Sequence, residues 1–216
     1  MFVPLHVCTP PAAQVTISTY PRPLHVTVGT TFSLSCNYGG HSFESWQHPT
    51  LGQITQTTGH VTISNLQQVS IATLEVNDAA INRDQGQYSC NVRASNGQQV
   101  TQSVQATLYN AVEVTTPADQ VFESLEGDTT RVALPCSAIN HDDIAWRRVG
   151  FSTELRNSSD GHLVVLPNQL VFNNVRFSDN GSYECTASNR VSHQSVISSL
   201  VVHGKLCVQH VRVCTG

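Results

Sequence analysis

Asp179-Asn180-Gly181-Ser182-Tyr183-Glu184-Cys185 is the stretch whose reading decides the fold. It reads as a tight corner followed by the start of a strand. Asp179 and Gly181 suit the corner, because a short carboxylate accepts bonds from nearby backbone amides and glycine tolerates positive φ. Tyr183 and Cys185, two positions apart, then point to one face of the strand that follows. The same spacing recurs as Asp84-Gln85-Gly86-Gln87-Tyr88-Ser89-Cys90, an internal repeat that divides the chain. Each copy is completed upstream: Cys36 stands ten residues before Trp46, and Cys136 ten before Trp146.

Cys, Trp and Asp-x-Gly-x-Tyr-x-Cys in one order, twice, resemble the immunoglobulin superfamily over roughly residues 14 to 203. The resemblance implies an all-β fold of two tandem immunoglobulin-like antiparallel β-sandwiches. In that family the Trp packs on an inter-sheet disulfide and the Tyr forms the corner before the second Cys. It therefore implies the pairs Cys36–Cys90 and Cys136–Cys185. Their separations, 54 and 49 residues, are short for a variable-type domain, which adds two strands. The resemblance therefore favours the intermediate (I-set, C2-type) group, to which Cys185-Thr186-Ala187-Ser188-Asn189 is also similar. The expected organisation is an N-terminal segment 1–13, domain 1 at 14–110, domain 2 at 111–203, and 204–216 as a tail or the start of a further segment.

Composition narrows the function. Charged residues make up 12% of the 216, against about 25% in ordinary globular proteins. Net charge is −4, and Lys205 is the one lysine among eleven basic residues, so no basic patch is available for phosphates. Nucleic acid is not an expected partner. Seven cysteines point to an oxidising compartment and an extracellular or cell-surface location. Cys8, Cys207 and Cys214 are left over, an odd number, so one of them is expected to be free, paired with another chain, or paired with a segment outside these residues. Residues 1–13 lack the basic start and long apolar core of a secretory leader, so the expectation is a fragment or a chain whose leader has been lost. No stretch approaches the ~20 apolar residues that span a bilayer.

Period-two alternation places the strands. In the first half these are Val15–Ser18, broken by Pro21 and Pro23; Thr31–Tyr38; Ser45–Gln47; short strands between His48 and Asn65; Val69–Val76; Tyr88–Arg93; and Val100–Tyr109. Asn96-Gly97 supplies a two-residue hairpin turn of the favoured dipeptide type. In the second half they are Val112–Thr115, Gln120–Phe122, Arg131–Ser137, Ile144–Trp146, His162–Leu166, Val171–Val175, Ser182–Ala187 and Ser195–His203. One irregularity stands out. Leu170 and Phe172 precede Asp179 by nine and seven residues, whereas Leu74 and Val76 precede Asp84 by ten and eight, so the first corner carries one extra residue.

Asn157-Ser158-Ser159 and Asn180-Gly181-Ser182 are acceptors for N-linked glycan, both in expected turns. His203, Cys207, His210 and Cys214 have a zinc-like spacing, but the valines between them read as a continuing strand and an exported chain oxidises such cysteines more often than it metallates them. Asp142-Asp143 lacks the several oxygen ligands calcium prefers. The remaining histidines read as scattered surface polar groups. No phosphate loop, nucleophile elbow or paired-histidine motif occurs, so neither catalysis nor a cofactor is expected.

The resemblance implies a cell-surface adhesion or receptor ectodomain fragment that recognises a protein partner, homophilic or heterophilic. A secreted recognition or decoy protein and an intracellular filament segment are the alternatives; complete cysteine pairs and two acceptor sequences weigh against the second. The expected contact surface is the hairpin around Arg93, Asn96 and Gln98, with Gln53 to His60 beside it. A pre-shaped loop loses less entropy on binding, and arginine is enriched at interface hot spots.

Overall fold

The computed structural model describes residues 14–127 and 129–204. Cys8, Cys207, His210 and Cys214 lie outside the described residues. The chain divides into two compact units, Met1–Asn110 and Ala111–Gly216.

Unit 1 is built from β1 (Thr16–Tyr20), β2 (His25–Thr27), β3 (Phe32–Asn37), β4 (Ser42–His48), β5 (Gly52–Ile54), β6 (Val61–Leu66), β7 (Ile71–Val76), β8 (Gly86–Arg93) and β9 (Gln99–Tyr109). One sheet runs β1-β3-β7-β6 and the other β2-β9-β8-β4-β5. Pro21 and Pro23, both after cis peptide bonds, stand where the chain leaves the first sheet for the second; proline has no N–H to give a central ladder. β3 buries Phe32, Leu34 and Cys36, and β8 buries Tyr88, Cys90 and Val92, so alternate residues of both sheets meet in one core around Trp46. The strand expected from Val69 starts later. Gln67–Val69 is a 3₁₀ turn and Ser70 takes a left-handed conformation, φ 56°, before β7 begins.

Unit 2 repeats the plan with β10 (Glu113–Val114), β11 (Gln120–Leu125), β12 (Val132–Pro135), β13 (Ala138–Ile139), β14 (Asp143–Arg148), β15 (Leu163–Leu166), β16 (Gln169–Phe172), β17 (Gly181–Ser188) and β18 (His193–His203). β11-β18-β17-β14 form one sheet, β12-β16-β15 another, and β10 pairs with β13. The single strand expected over 131–137 is thus divided. Pro135 ends its pairing with β16, and Ala138–Ile139 turn onto β10 instead. No strand equivalent to β5 occurs among the described residues of unit 2; one bridge, Arg147 to Glu154, stands in its place. The shorter cysteine separation comes from the next hairpin, which runs from Val61 to Val76 in unit 1 but only from Leu163 to Phe172 in unit 2. Leu134, Trp146, Leu170, Tyr183 and Leu200 form the centre of the core.

Both disulfides implied by the resemblance are formed, Cys36–Cys90 and Cys136–Cys185, with Cα separations of 6.3 and 6.4 Å. Both tyrosine corners are also closed. Tyr88 donates its hydroxyl proton to the Asp84 carbonyl at 2.8 Å, and Tyr183 to that of Asp179 at 2.7 Å.

The extra residue of the first corner has a definite place. In unit 1 the corner is one α-helical turn, α1 (Ile81–Asp84), in which the Asp84 amide donates to the carbonyl of Ala80, four residues back. In unit 2 it is a 3₁₀ turn, Phe177–Asp179, in which the Asp179 amide donates to Arg176, three back. The aspartate caps its own turn in each case: Asp84 Oδ2 accepts from the Ala80 amide at 2.8 Å, and Asp179 Oδ2 from the Arg176 amide at 2.7 Å. Lengthening the turn from three residues to four absorbs the insertion and returns Tyr88 to its place. The glycine that follows is needed for space. A Cβ on Gly86, at φ 141°, would lie 2.8 Å from Cβ of Pro49.

Candidate recognition surface

The outer face of the β2-β9-β8-β4-β5 sheet is made by the residues that alternate with the core positions. The ladder pairs Gln87 with Gln105, Ser89 with Ser103, Asn91 with Thr101 and Arg93 with Gln99, and sets Ser45 against Asn91 and Gln47 against Ser89 and Gln53. These groups bond to one another. Ser89 and Ser103 hydroxyls lie 2.8 Å apart, Thr101 donates to Asn91 Oδ1 at 2.8 Å, and the amides of Gln53 and Asn91 both donate to the buried Ser45 hydroxyl. The face therefore presents amides and hydroxyls in a fixed pattern, and uncharged groups cost less to desolvate than charges.

Charge enters at one end. The register of β4 shifts between Phe43 and Ser45, leaving Glu44 as the extra residue of a β-bulge, a device that re-aims a side chain. Glu44 consequently reaches both Arg93 and Gln99 at the base of the hairpin. The Arg93 guanidinium is held by Glu44 Oε1 and by the Gly97 carbonyl at 3.0 Å. Its role in this geometry is to brace the loop.

The hairpin is closed differently from the two-residue turn expected of Asn-Gly. The Gly97 amide donates to the Ala94 carbonyl and the Ala94 amide to that of Gln98, both at 2.9 Å. Gly97 alone in the loop has positive φ, 83°. This is a three-residue loop with a glycine bulge. Asn96 Oδ1 accepts from the Gln98 amide at 2.9 Å, and the side chains of Asn96 and Gln98 stay exposed at the tip. The structure thus brings Arg93, Asn96 and Gln98 together on one loop. His60 does not join them.

His60 instead turns to the corner, and the reading of the histidines as scattered surface groups is corrected here. His60 Nε2 lies 2.6 Å from Asp84 Oδ1 and His48 Nε2 3.2 Å from the same oxygen, with His48 and Asp84 fully buried. In unit 2, His162 meets Asp179 at 3.0 Å from the matching position, just before the strand. Pairing over 24 residues in one unit and 17 in the other leaves no shared local motif to read.

Two histidines and a carboxylate could hold a metal ion, but the second nitrogen of His48 argues against that use. The amides of Thr50 and Leu51 both donate to His48 Nδ1, at 3.2 and 3.3 Å. That fixes the proton on Nε2, whereas a metal-ligating histidine donates its other N–H to an acceptor. Burial pushes the His48 pKa below its ordinary 6.5, against the pull of Asp84. Burial would raise that of Asp84, but bonds from Ala80, His60 and Arg83 more than offset this and hold it below 3.8. Both folded values are depressed, so both groups contribute stability that is present above their unfolded values and lost as pH falls. Unit 1 is expected to weaken in two acid steps, the first beginning as pH drops through about 6.5, and urea midpoints of unit 1 between pH 7.5 and 3 measure it.

The acceptor asparagines are both exposed. Asn157 Oδ1 accepts from the Val165 amide at 2.7 Å. Asn180 follows the 3₁₀ turn, and its Ser182 shares a hydrogen bond with Ser199 at 3.0 Å. Asp142 and Asp143 do not belong to any metal-capable group among the described residues. No described helix is long and apolar enough to cross a membrane.

Two disulfide-pinned β-sandwiches, each closed by a tyrosine corner, define the class. The immunoglobulin I-set profile matches residues 15–108 and the immunoglobulin domain profile residues 113–189. The chain belongs to the immunoglobulin superfamily. It is 30% identical over 205 residues to the peroxidasin homolog of Mus musculus, covering 90% of this chain, and 32% identical over 124 residues to the cell adhesion molecule DSCAM of Homo sapiens, covering 53%. It spans only 12% and 6% of those relatives' lengths. Extracellular domains 3–5 of Drosophila OTK share the fold at a TM-score of 0.65 and 21% identity, covering 88% of this chain and 62% of that one.

Proposed function

We propose that this chain is an extracellular segment of a cell-surface adhesion molecule or receptor that binds a protein partner through unit 1. The observation that carries the reading is the continuity of the braced hairpin with the uncharged outer sheet face. Arg93, held by Glu44 and Gly97, keeps Asn96 and Gln98 in place before a partner arrives, which lowers the entropic cost of binding. The likeness to a cell adhesion molecule over half the chain supports it, as do two disulfides, which persist in oxidising surroundings.

The test compares the full chain with Arg93→Ala, Asn96→Ala and Gln98→Ala, first for self-association by analytical ultracentrifugation, then for binding to intact cells. A hot-spot truncation costs about 2 kcal/mol or more, so at least one variant is expected to lose about thirtyfold in affinity with its unfolding midpoint little changed. Unchanged affinity in all three rules out the hairpin.

A further inference from the structure

A neutral imidazole carries one N–H and one lone pair, so it can serve one acceptor and one donor; serving two acceptors takes the doubly protonated ring. His162 faces two acceptors. Its Nδ1 lies 2.7 Å from the carbonyl oxygen of Asn173 and its Nε2 3.0 Å from Oδ1 of Asp179. The side chains of His162 and Asp179 are only 10% and 12% exposed, so water is a poor substitute for either contact. His48 shows the reverse arrangement in unit 1, with two backbone donors on Nδ1 and the Asp84 carboxylate on Nε2. The two units thus present opposite sets of hydrogen-bonding groups to their histidine rings.

We propose that His162 is a proton-operated latch of unit 2. Doubly protonated, it ties the start of β15 to the end of β16 through Asn173 and to the corner through Asp179. On losing one proton it presents a lone pair to one of those oxygens and releases that contact. Protonation closes the latch, so acidification favours the closed form.

The charged groups at this corner fit a ring that carries positive charge. Asp179 bonds it directly, and Asp160 Oδ1 accepts from the His162 backbone amide at 3.1 Å. The positive charge of Arg176 is held by Asp160 Oδ2 at 2.9 Å. Arg148 directs its donors to the carbonyls of Ser178 and Asn180. Glu126 accepts from the Phe177 amide, and Tyr183 gives its hydroxyl proton to the Asp179 carbonyl. The moving parts are equally defined. The Asn173 amide donates to the His162 carbonyl at 2.8 Å, and the Arg176 amide to Asp179 Oδ2 at 2.7 Å, so both amides report on the latch.

The experiment uses the full chain, with amide hydrogen exchange at pH 6 and pH 8 expressed as protection factors, which divide out the intrinsic effect of pH. Protection at Asn173 and Arg176 is expected to be about tenfold higher at pH 6, the worth of one net hydrogen bond, while Thr50 and Leu51 on His48 show no such gain. His162→Arg, with two donors and a permanent charge, is expected to be well protected at both values, and His162→Gln poorly protected at both. A His162→Gln chain that keeps the wild-type response overturns the latch. Should that variant not fold, nitrogen chemical shifts of the wild-type ring decide the matter: two N–H groups on His162 at pH 6 support the latch, and one overturns it.

Discussion

Asp84→Ala is expected to destabilise unit 1 by about 3 kcal/mol or more, the upper end for leaving buried hydrogen-bonding groups without their partner. Asp84 is fully buried and gathers four donors: the Ala80 amide, the Arg83 guanidinium at 2.9 Å, His60 and His48. Its removal leaves the helical turn without a cap and strips the buried His48 and the partly buried His60 of their shared acceptor. Arg83 also bonds the Asp78 carbonyl, so the segment 78–84 loosens as a whole. Asp179→Ala removes fewer partners from a side chain that is 12% exposed, and the expected cost is about 1–3 kcal/mol. Urea unfolding of the two variants, each followed by near-ultraviolet circular dichroism, makes the comparison. Equal losses in the two units, or a loss below about 1 kcal/mol for Asp84→Ala, would sink the account of the first corner.

The corners show what a sequence can and cannot disclose. Asp, Gly, Tyr and Cys are legible because strand geometry has period two and every inward residue must be apolar or bonded, so Tyr183 and Cys185 identify their face without any other information. The extra residue before Asp84 is equally legible as a count. Its conversion of a 3₁₀ turn into an α turn is not, because either hydrogen-bonding pattern suits Ala79-Ala80-Ile81-Asn82. The bulge at Glu44 left a signal that alternation alone passes over. Phe43 and Trp46 both face the core though they stand three apart, which a regular strand forbids. The histidines left none. Their partners lie in another strand connection, and what each ring nitrogen bonds depends on which backbone groups the folded chain turns toward it. The hairpin shows a subtler gap: Asn96-Gly97 marks a turn, but the bond from Arg93 to Gly97 and the bulge glycine choose its type.

Removing the Cys36–Cys90 bond by the double substitution Cys36→Ala/Cys90→Ala is expected to cost unit 1 about 4 kcal/mol, the chain-entropy value for a closed loop of this length. The loop spans 54 residues, and that of Cys136–Cys185 spans 49. A logarithmic dependence on length makes the two losses nearly equal. Packing adds a difference. Trp46 and Trp146 are both almost fully buried, but among the described residues the core that holds the unit 1 disulfide is the larger, with Phe32, Leu34, Tyr88 and Val92 among its members. The penalty in unit 1 should therefore be the larger. For a domain of about 100 residues a loss of about 4 kcal/mol lowers the melting temperature by roughly 15–30 °C, and typical stabilities of about 5–15 kcal/mol leave such a domain folded at 25 °C. Each double variant, heated in the calorimeter as the full chain, should show one transition moved and one unmoved, because each disulfide lies inside its own core. A single transition that shifts as a whole in both variants would show that the two units do not unfold independently.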